Sequence, residues 1–210
     1  SENTSATHLY RREGAYIPRV AAVHDLCGYG KCSLGVAIPV LSAAGCDVCP
    51  VPTGLFSSHT AFPGWYMHDT TDMLADYLAA WGKIGVEIDA VYSGFLGAPE
   101  QVDRIRDLYA MYPNALRVVD PVMADHGAVY PTYTPELCDA MAELACGADI
   151  LTPNLTEAAI ILGEPIGEDW AGTDISDEEA RRLVDALVAK GAKHVVLKGI
   201  QREGETSIRN

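Results

Sequence analysis

The sequence predicts an α/β protein, a mainly parallel central sheet with helices on both faces in three layers. Short apolar runs alternate with helical stretches over most of the chain. Three of the runs are dense in Val, Ile, Leu or Tyr without polar alternation, as in strands covered on both sides. Polar and glycine-rich residues follow run after run, which puts them on one edge of such a sheet.

The strands read from these runs are Arg19–His24, Asp47–Thr53, Ala90–Phe95, Leu116–Pro121, Asp149–Pro153 and His194–Ile200. The helices between them read as Leu34–Ala44, Thr71–Trp81, Pro99–Met111, Pro135–Cys146, Glu157–Leu162 and Asp177–Lys190. Thr134 followed by Pro135 is an N-cap with proline at the first helical position. Ser176 with Glu179 predicts a capping box, and Gly191 ends the last helix at the C′ position. The stretch Gly163–Thr173 reads as a surface loop. Residues 1–17 read as a loosely held arm, and 18–210 as a single domain with no internal repeat.

Composition narrows the function. The chain has 210 residues, of which 49% are apolar and only 21% charged, which excludes a disordered chain. No run approaches the roughly 20 apolar residues needed to cross a bilayer. The N-terminal stretch is polar, without the apolar core of a secretory signal. Fifteen basic against 29 acidic side chains give a net charge of −14, which argues against nucleic acid or an anionic membrane as partner. The expectation is a soluble, cytoplasmic protein that handles small molecules. Cys46 and Cys49 form a CxxC, but no second pair stands near enough for a structural zinc site. They read as small buried residues at a strand entrance.

Ligands of open α/β sheets bind at the carboxyl ends of the strands. The first strand runs into Gly28-Tyr29-Gly30-Lys31-Cys32-Ser33, a near miss to a dinucleotide-binding loop. Ser33 stands in place of its third glycine, and the second strand ends on Thr53 where an acid would hold a ribose. Leu26 and Cys32 break the phosphate-loop pattern of nucleotide triphosphatases. Glycines serving only a tight turn remain an alternative. Asp120 and Asp125 flank a turn after the fourth strand, and Asn154 and Glu157 lie three apart across a helix start. Hard oxygen ligands of this kind suit a hydrated Mg²⁺ completed by substrate phosphates. Each pair taken alone also fits a plain turn or an acidic first helical turn.

In their order and spacing, these segments resemble the pyridoxal kinase branch of the ribokinase-like superfamily. The matching pieces are Gly28-Tyr29-Gly30, Phe56-Ser57-Ser58-His59-Thr60, Ser93-Gly94-Phe95-Leu96-Gly97, Val119-Asp120-Pro121-Val122-Met123 and Thr152-Pro153-Asn154-Leu155-Thr156-Glu157-Ala158. They span about Arg19 to Lys198. The Asp-Pro-Val and Pro-Asn-x-x-Glu pieces are shared with hydroxymethylpyrimidine kinases, whereas Phe-Ser-x-His-Thr points to vitamin B6.

The resemblance implies transfer of the ATP γ-phosphoryl group to the 5′-hydroxyl of pyridoxal, pyridoxine or pyridoxamine, with Mg²⁺, a candidate K⁺ and a homodimer. It implies that Asp25 and Thr60 touch the polar edge of the pyridine ring, and that Leu55, Phe56 and Phe95 wall it. Core packing is the alternative for both phenylalanines, and a locally satisfied loop hydroxyl for Thr60. Asp120, Asn154, Glu157 and Lys198 would face ATP, with Asp120, Asp125 and Glu157 toward the metal. Two departures stand out. Many members carry Gln-Ser where this chain has His24-Asp25. The family's Gly-x-Gly-Asp segment, whose aspartate is the catalytic base, is not found in residues 1–210. That base is expected beyond Asn210, so the domain is expected to be incomplete at its C-terminus or a degenerate member. A hydroxymethylpyrimidine-type kinase, or a non-catalytic ligand-binding protein on the same scaffold, remains the alternative function.

Overall fold

The computed structural model describes residues 16–165, 175–202, 204 and 206–210. The chain opens with β1 (Arg19–Tyr29), α1 (Leu34–Ala43), β2 (Asp47–Ser58), β3 (Met67–Asp69) and α2 (Thr71–Ile84). Next come β4 (Ala90–Ser93), α3 (Glu100–Met111), β5 (Leu116–Val119), a small hairpin of β6 (Ala124–Asp125) and β7 (Ala128–Val129), and α4 (Pro135–Cys146). It closes with β8 (Ile150–Leu151), α5 (Leu155–Leu162), α6 (Asp177–Ala189) and β9 (His194–Val195).

The main sheet has the order β3-β2-β1-β4-β5-β8-β9, parallel except for β3. The chain steps outward from β1 to β2, then passes back over β1 to β4 and continues one way to β9. Right-handed crossovers therefore put α1 on one face and α2 to α4 on the other. Val23, Val91, Val119 and Leu151 of the strands pack with Leu74, Ile105, Leu108 and Met141 of the helices in one buried cluster. In α6 that cluster receives Leu183 and Leu187, four residues apart on one helical face.

All six expected strands and six expected helices exist, with shifted ends. β1 and β2 run five residues past their expected ends at His24 and Thr53, so Gly28 lies inside a strand and not in a strand-to-helix turn. The first strand's His24 pairs with Pro52 and its Leu26 with Leu55, so Thr53 and Gly54 together oppose Asp25 in a bulge. Beyond the bulge the two strands leave the sheet as a ribbon, and β3 adds to it antiparallel, pairing Gly54–Phe56 with Met67–Asp69. The expected Ser176 capping box forms by half. Ser176 accepts from the Glu179 amide at 3.1 Å, but the Glu179 carboxylate turns to Arg182. Gly191 must be glycine, because a Cβ there would stand 2.5 Å from the Cys146 carbonyl oxygen. Of the expected loop Gly163–Thr173, residues 166–173 lie outside the described ones, as do 1–15 of the N-terminal arm. Tyr16, at its end, donates its hydroxyl proton to Asp89. Cys46 and Cys49 are free thiols at the entrance of β2.

Candidate active site

The reversal of direction between β1 and β4 makes the crevice beyond their carboxyl ends the topological switch point of the sheet, where open α/β folds bind ligands. His24 and Asp25 come from β1, and Ser93, Gly94 and Phe95 from the end of β4. The His24 ring is 4% exposed and meets Tyr92 edge-on at 4.4 Å. It occupies the space of a missing side chain, since a Cβ on Gly94 would lie 2.1 Å from His24 Nδ1. Burial lowers the His24 pKa to about 4, so the ring is neutral at ordinary pH. Among the described residues, its Nε2 and the Ser93 Oγ are buried without a partner. Two such atoms at neighbouring strand ends call for a ligand or an ordered water.

Asp25 is 5% exposed. Burial raises its carboxyl pKa, opposed by hydrogen bonds from Ser33 and Cys27 and by the nearby His59. The glycine loop lies against the turn after β2. A Cβ on Gly28 would come within 2.9 Å of the Ser57 carbonyl, and one on Gly30, at φ +80°, within 2.9 Å of the His59 Cβ. Thr60, in that turn, is exposed. Phe56 and Phe95 pack edge to face at 5.7 Å, and Phe95 does the same with Tyr133. Both phenylalanines belong to the buried core. Leu55 is 41% exposed, on the opposite side of β2 from Phe56, so these two adjacent residues front different spaces.

One strand further along, the ends of β5, β8 and β9 assemble a charged cluster. The Lys198 amide donates to the Pro153 carbonyl at 2.8 Å, which carries the lysine beside the start of α5. Its ammonium donates to Asp120 Oδ1 at 2.6 Å. Asn154 caps α5, its Oδ1 accepting from the Glu157 amide at 2.9 Å and its Nδ2 donating to the Ala124 carbonyl at 2.8 Å. Glu157 completes a capping box by accepting from the Asn154 amide at 2.8 Å, and it accepts from the Met123 amide at 3.3 Å. Although acidic, Glu157 is only 2% exposed. Burial pushes its pKa up to about 8, with Lys198 opposing and Asp120 reinforcing the shift. Burial also raises the Asp120 pKa, against the pull of Lys198.

Asp125 is half-exposed in the β6–β7 hairpin, where it accepts from the His126 amide at 2.9 Å, and it is not at a main strand end. His126 and Gly127 both have positive φ, the two-residue turn that closes such a hairpin. Asp120, Asp125 and Glu157 share a neighbourhood, since all three help push the Tyr130 phenol up to about 12, after burial. Among the described residues they do not bring three ligand atoms within 4.8 Å of one another; Asp25, Cys27 and Cys32 do.

Three residues of this edge escaped the sequence reading. His59 lay inside a quoted motif but was given no role. The ring space of His24 depends on Gly94, seventy positions away, and only the pairing of small with large residues across two strand ends could have signalled it. Gln101, 1% exposed, accepts from the Gly97 amide at 2.8 Å and donates to the Thr53 carbonyl at 2.8 Å and to Thr71 Oγ1 at 2.9 Å. It ties the bulge, the loop after β4 and the start of α2 together.

Known proteins share this fold. A family model described as phosphomethylpyrimidine kinase matches residues 39–210. A pyridoxal kinase PdxY of Haemophilus influenzae is 34% identical over 196 residues, covering 89% of this chain and 64% of its own length. A crystal structure from Bacteroides thetaiotaomicron, named for a phosphomethylpyrimidine kinase and containing pyridoxal, superposes with a TM-score of 0.83 at 38% identity, over 90% of this chain and 65% of that one. The pyridoxal kinase of Lactobacillus plantarum superposes with a TM-score of 0.80 at 29% identity, over 92% and 68%. This chain thus spans about two thirds of the length of these relatives. The family match over well more than half of the sequence, joined to the shared mainly parallel fold, places the chain in the phosphomethylpyrimidine kinase family.

Proposed function

We propose that the protein carrying this chain transfers the γ-phosphoryl group of ATP to the 5′-hydroxyl of pyridoxal, pyridoxine or pyridoxamine. The observation that carries the reading is one sheet edge with two adjoining parts. The first is a crevice at the switch point with two buried polar atoms that have no partner among the described residues, and the second a carboxylate–lysine cluster on the next strands. A pyridine ring needs apolar walls and a few polar contacts, and a triphosphate needs fixed positive charge. Asp25 and Thr60 are assigned to the polar edge of the ring, and Phe56 and Phe95 to its apolar surroundings; Leu55, which fronts the other side of β2, is not assigned to the same space. Support for the vitamer comes from the relative crystallised with pyridoxal and from the pyridoxal kinases among the relatives.

The cluster fits a divalent cation. Asp120 is half-buried and Glu157 buried, burial raises both carboxyls, and the Lys198 ammonium, bonded to Asp120, opposes the shift at each. Asp120, Asp125 and Glu157 would hold Mg²⁺, and Asn154 and Lys198 would face the phosphates. The ion would supply charge neutralisation at the transferring phosphoryl group. Lys198 also holds Asp120 in place, and the backbone amides of Asn154 and Met123 orient the Glu157 carboxylate. A homodimer and a candidate K⁺ accompany this reading on the strength of the family resemblance, and a cytoplasmic location on the strength of the composition.

The second reading, phosphorylation of a hydroxymethylpyrimidine, is favoured by the description of the family model. The deciding experiment offers ATP and Mg²⁺ with the three B6 vitamers and with a hydroxymethylpyrimidine to the complete protein, with and without K⁺. Faster turnover of a vitamer is the expected result. Preference for the pyrimidine would replace the first reading by the second, and binding of ligands without turnover would make the protein a binder. Light scattering of the same sample gives the subunit number.

A further inference from the structure

Cys27 and Cys32 belong to neither part of the site as assigned. They face each other across the glycine loop, one step inside the antiparallel bridge between Leu26 and Ser33. The Cys32 thiol donates to Cys27 Sγ at 2.8 Å, and Cys27 donates to Asp25 Oδ2 at 3.6 Å. Both residues are half-buried, which leaves them open to a small reagent. The donor atoms of Asp25, Cys27 and Cys32 lie within 4.8 Å of one another, which raises a metal ion as the first possibility. Two thiolates on one tetrahedral zinc, each about 2.3 Å from it, stand about 3.8 Å apart. The two sulfurs here are an ångström closer than that, and nearer to the roughly 2.05 Å of a covalent S–S bond.

We propose that Cys27 and Cys32 form a reversible modification site, closing to an intramolecular disulfide by exchange with a low-molecular-weight disulfide. The Cys32 thiolate attacks one sulfur of the reagent and expels the other as a thiolate. Cys27 then attacks Cys32 Sγ and expels the second reagent sulfur. The Cys27 proton passes to Asp25, which already accepts its hydrogen bond, and from there to the departing thiolate. Two protein thiols are oxidised by two electrons and one reagent disulfide is reduced to two thiols. Burial, Cys32 and Asp25 push the Cys27 thiol far above its usual range, which makes it the second of the two to react. The bond removes the Cys27 donor from Asp25 and cross-links the loop that rests on Ser57 and His59. Redox state is thereby coupled to the mouth of the switch-point crevice.

The test exposes the folded protein to oxidised glutathione, alkylates it under denaturing conditions and maps the digest. The expected result is a fall from six alkylated cysteines to four, a peptide linked through Cys27 and Cys32, and full recovery with dithiothreitol. In Cys27→Ser the reaction stops at a glutathione adduct on Cys32. Six alkylated cysteines after exposure, or a bond mapped to Cys46 and Cys49 instead, would overturn the proposal. So would tight Zn²⁺ binding that needs Cys27 while no disulfide forms. The readout is covalent and independent of which substrate the crevice accepts.

Discussion

The two parts of the sheet edge are built in opposite ways. At β5, β8 and β9 every polar group singled out has a protein partner: Lys198 with Asp120, Asn154 with Glu157 and Ala124, Glu157 with two backbone amides. At β1 and β4 Asp25 is partnered, but His24 Nε2 and Ser93 Oγ are buried with no partner among the described residues. On the proposed function, the charged part would be a finished cradle that holds its side chains in place before any phosphate arrives, as electrostatic stabilisation requires. The crevice part is left with polar atoms whose hydrogen bonds something else must complete. On the proposed function, positioning would be stored in one half and recognition in the other.

If that division is right, the largest effect comes from Lys198, the one cation in the finished cradle. Lys198→Met leaves Asp120 and Glu157 side by side without compensation. Since Lys198 is about a third exposed, solvent screening takes back part of the loss. MgATP affinity is expected to fall by about 100-fold, or about 2.7 kcal/mol. Pyridoxal affinity is expected to change less than threefold, within about 0.7 kcal/mol. Calorimetric titration with each ligand measures both. Equal losses for the two ligands would break the division between the halves.

Glu157 sharpens the comparison through pH. Its folded pKa of about 8 lies above the usual glutamate value, so the folded state keeps a proton that the unfolded state has lost. Its contribution to stability is fully present below the ordinary carboxylate range and is lost as pH rises toward about 8. Glu157→Gln cannot titrate. Urea unfolding of the two proteins at pH 5.5 and 8.5 should show the wild type losing ground to the variant at the higher pH. Glu157→Gln should also weaken MgATP binding about 30-fold, or about 2 kcal/mol, and raise the Mg²⁺ concentration needed. Parallel stability curves would show that the carboxyl is already ionised in the folded protein.

The same contrast explains what could be read from sequence. Asp120, Asn154, Glu157 and Lys198 were legible because each sits at a strand end or in the first turn of a helix, where three or four residues fix its place. The crevice depends on distant partners. The ribbon formed by the ends of β1 and β2 carries Gly28 and Gly54 and no clean alternation, so neither strand could be followed past His24 or Thr53. The three-residue β3 is too short for a period. Gln101 looks like any polar residue in a first helical turn, and its burial follows from Thr53 and Thr71 meeting over it. Phe56 and Phe95 were read as walls with core packing as the alternative, and their rings form an aromatic row with Tyr133 in the core.

The smallest expected effect is the one that tests the crevice most directly. Asp25 sits opposite the Thr53-Gly54 bulge, already accepting from Ser33 and Cys27, and burial raises its pKa. A carboxylate can also accept from a protonated pyridine nitrogen, a charge-assisted bond about twice as strong as a neutral one. Because two donors already share the carboxylate, the gain should sit toward the low end, about tenfold in affinity or about 1.4 kcal/mol. Asp25→Asn keeps the size of the side chain and an oxygen for Ser33 and Cys27, so the loop should hold. Pyridoxal should therefore bind about tenfold more weakly, whereas a carbocyclic analogue without the ring nitrogen should bind nearly as before, the difference being about 1.4 kcal/mol. The analogue is the informative arm. If it loses as much affinity as pyridoxal, Asp25 shapes the glycine loop through Ser33 and Cys27 and makes no bond to the ring. The crevice would then be as pre-assembled as the charged half.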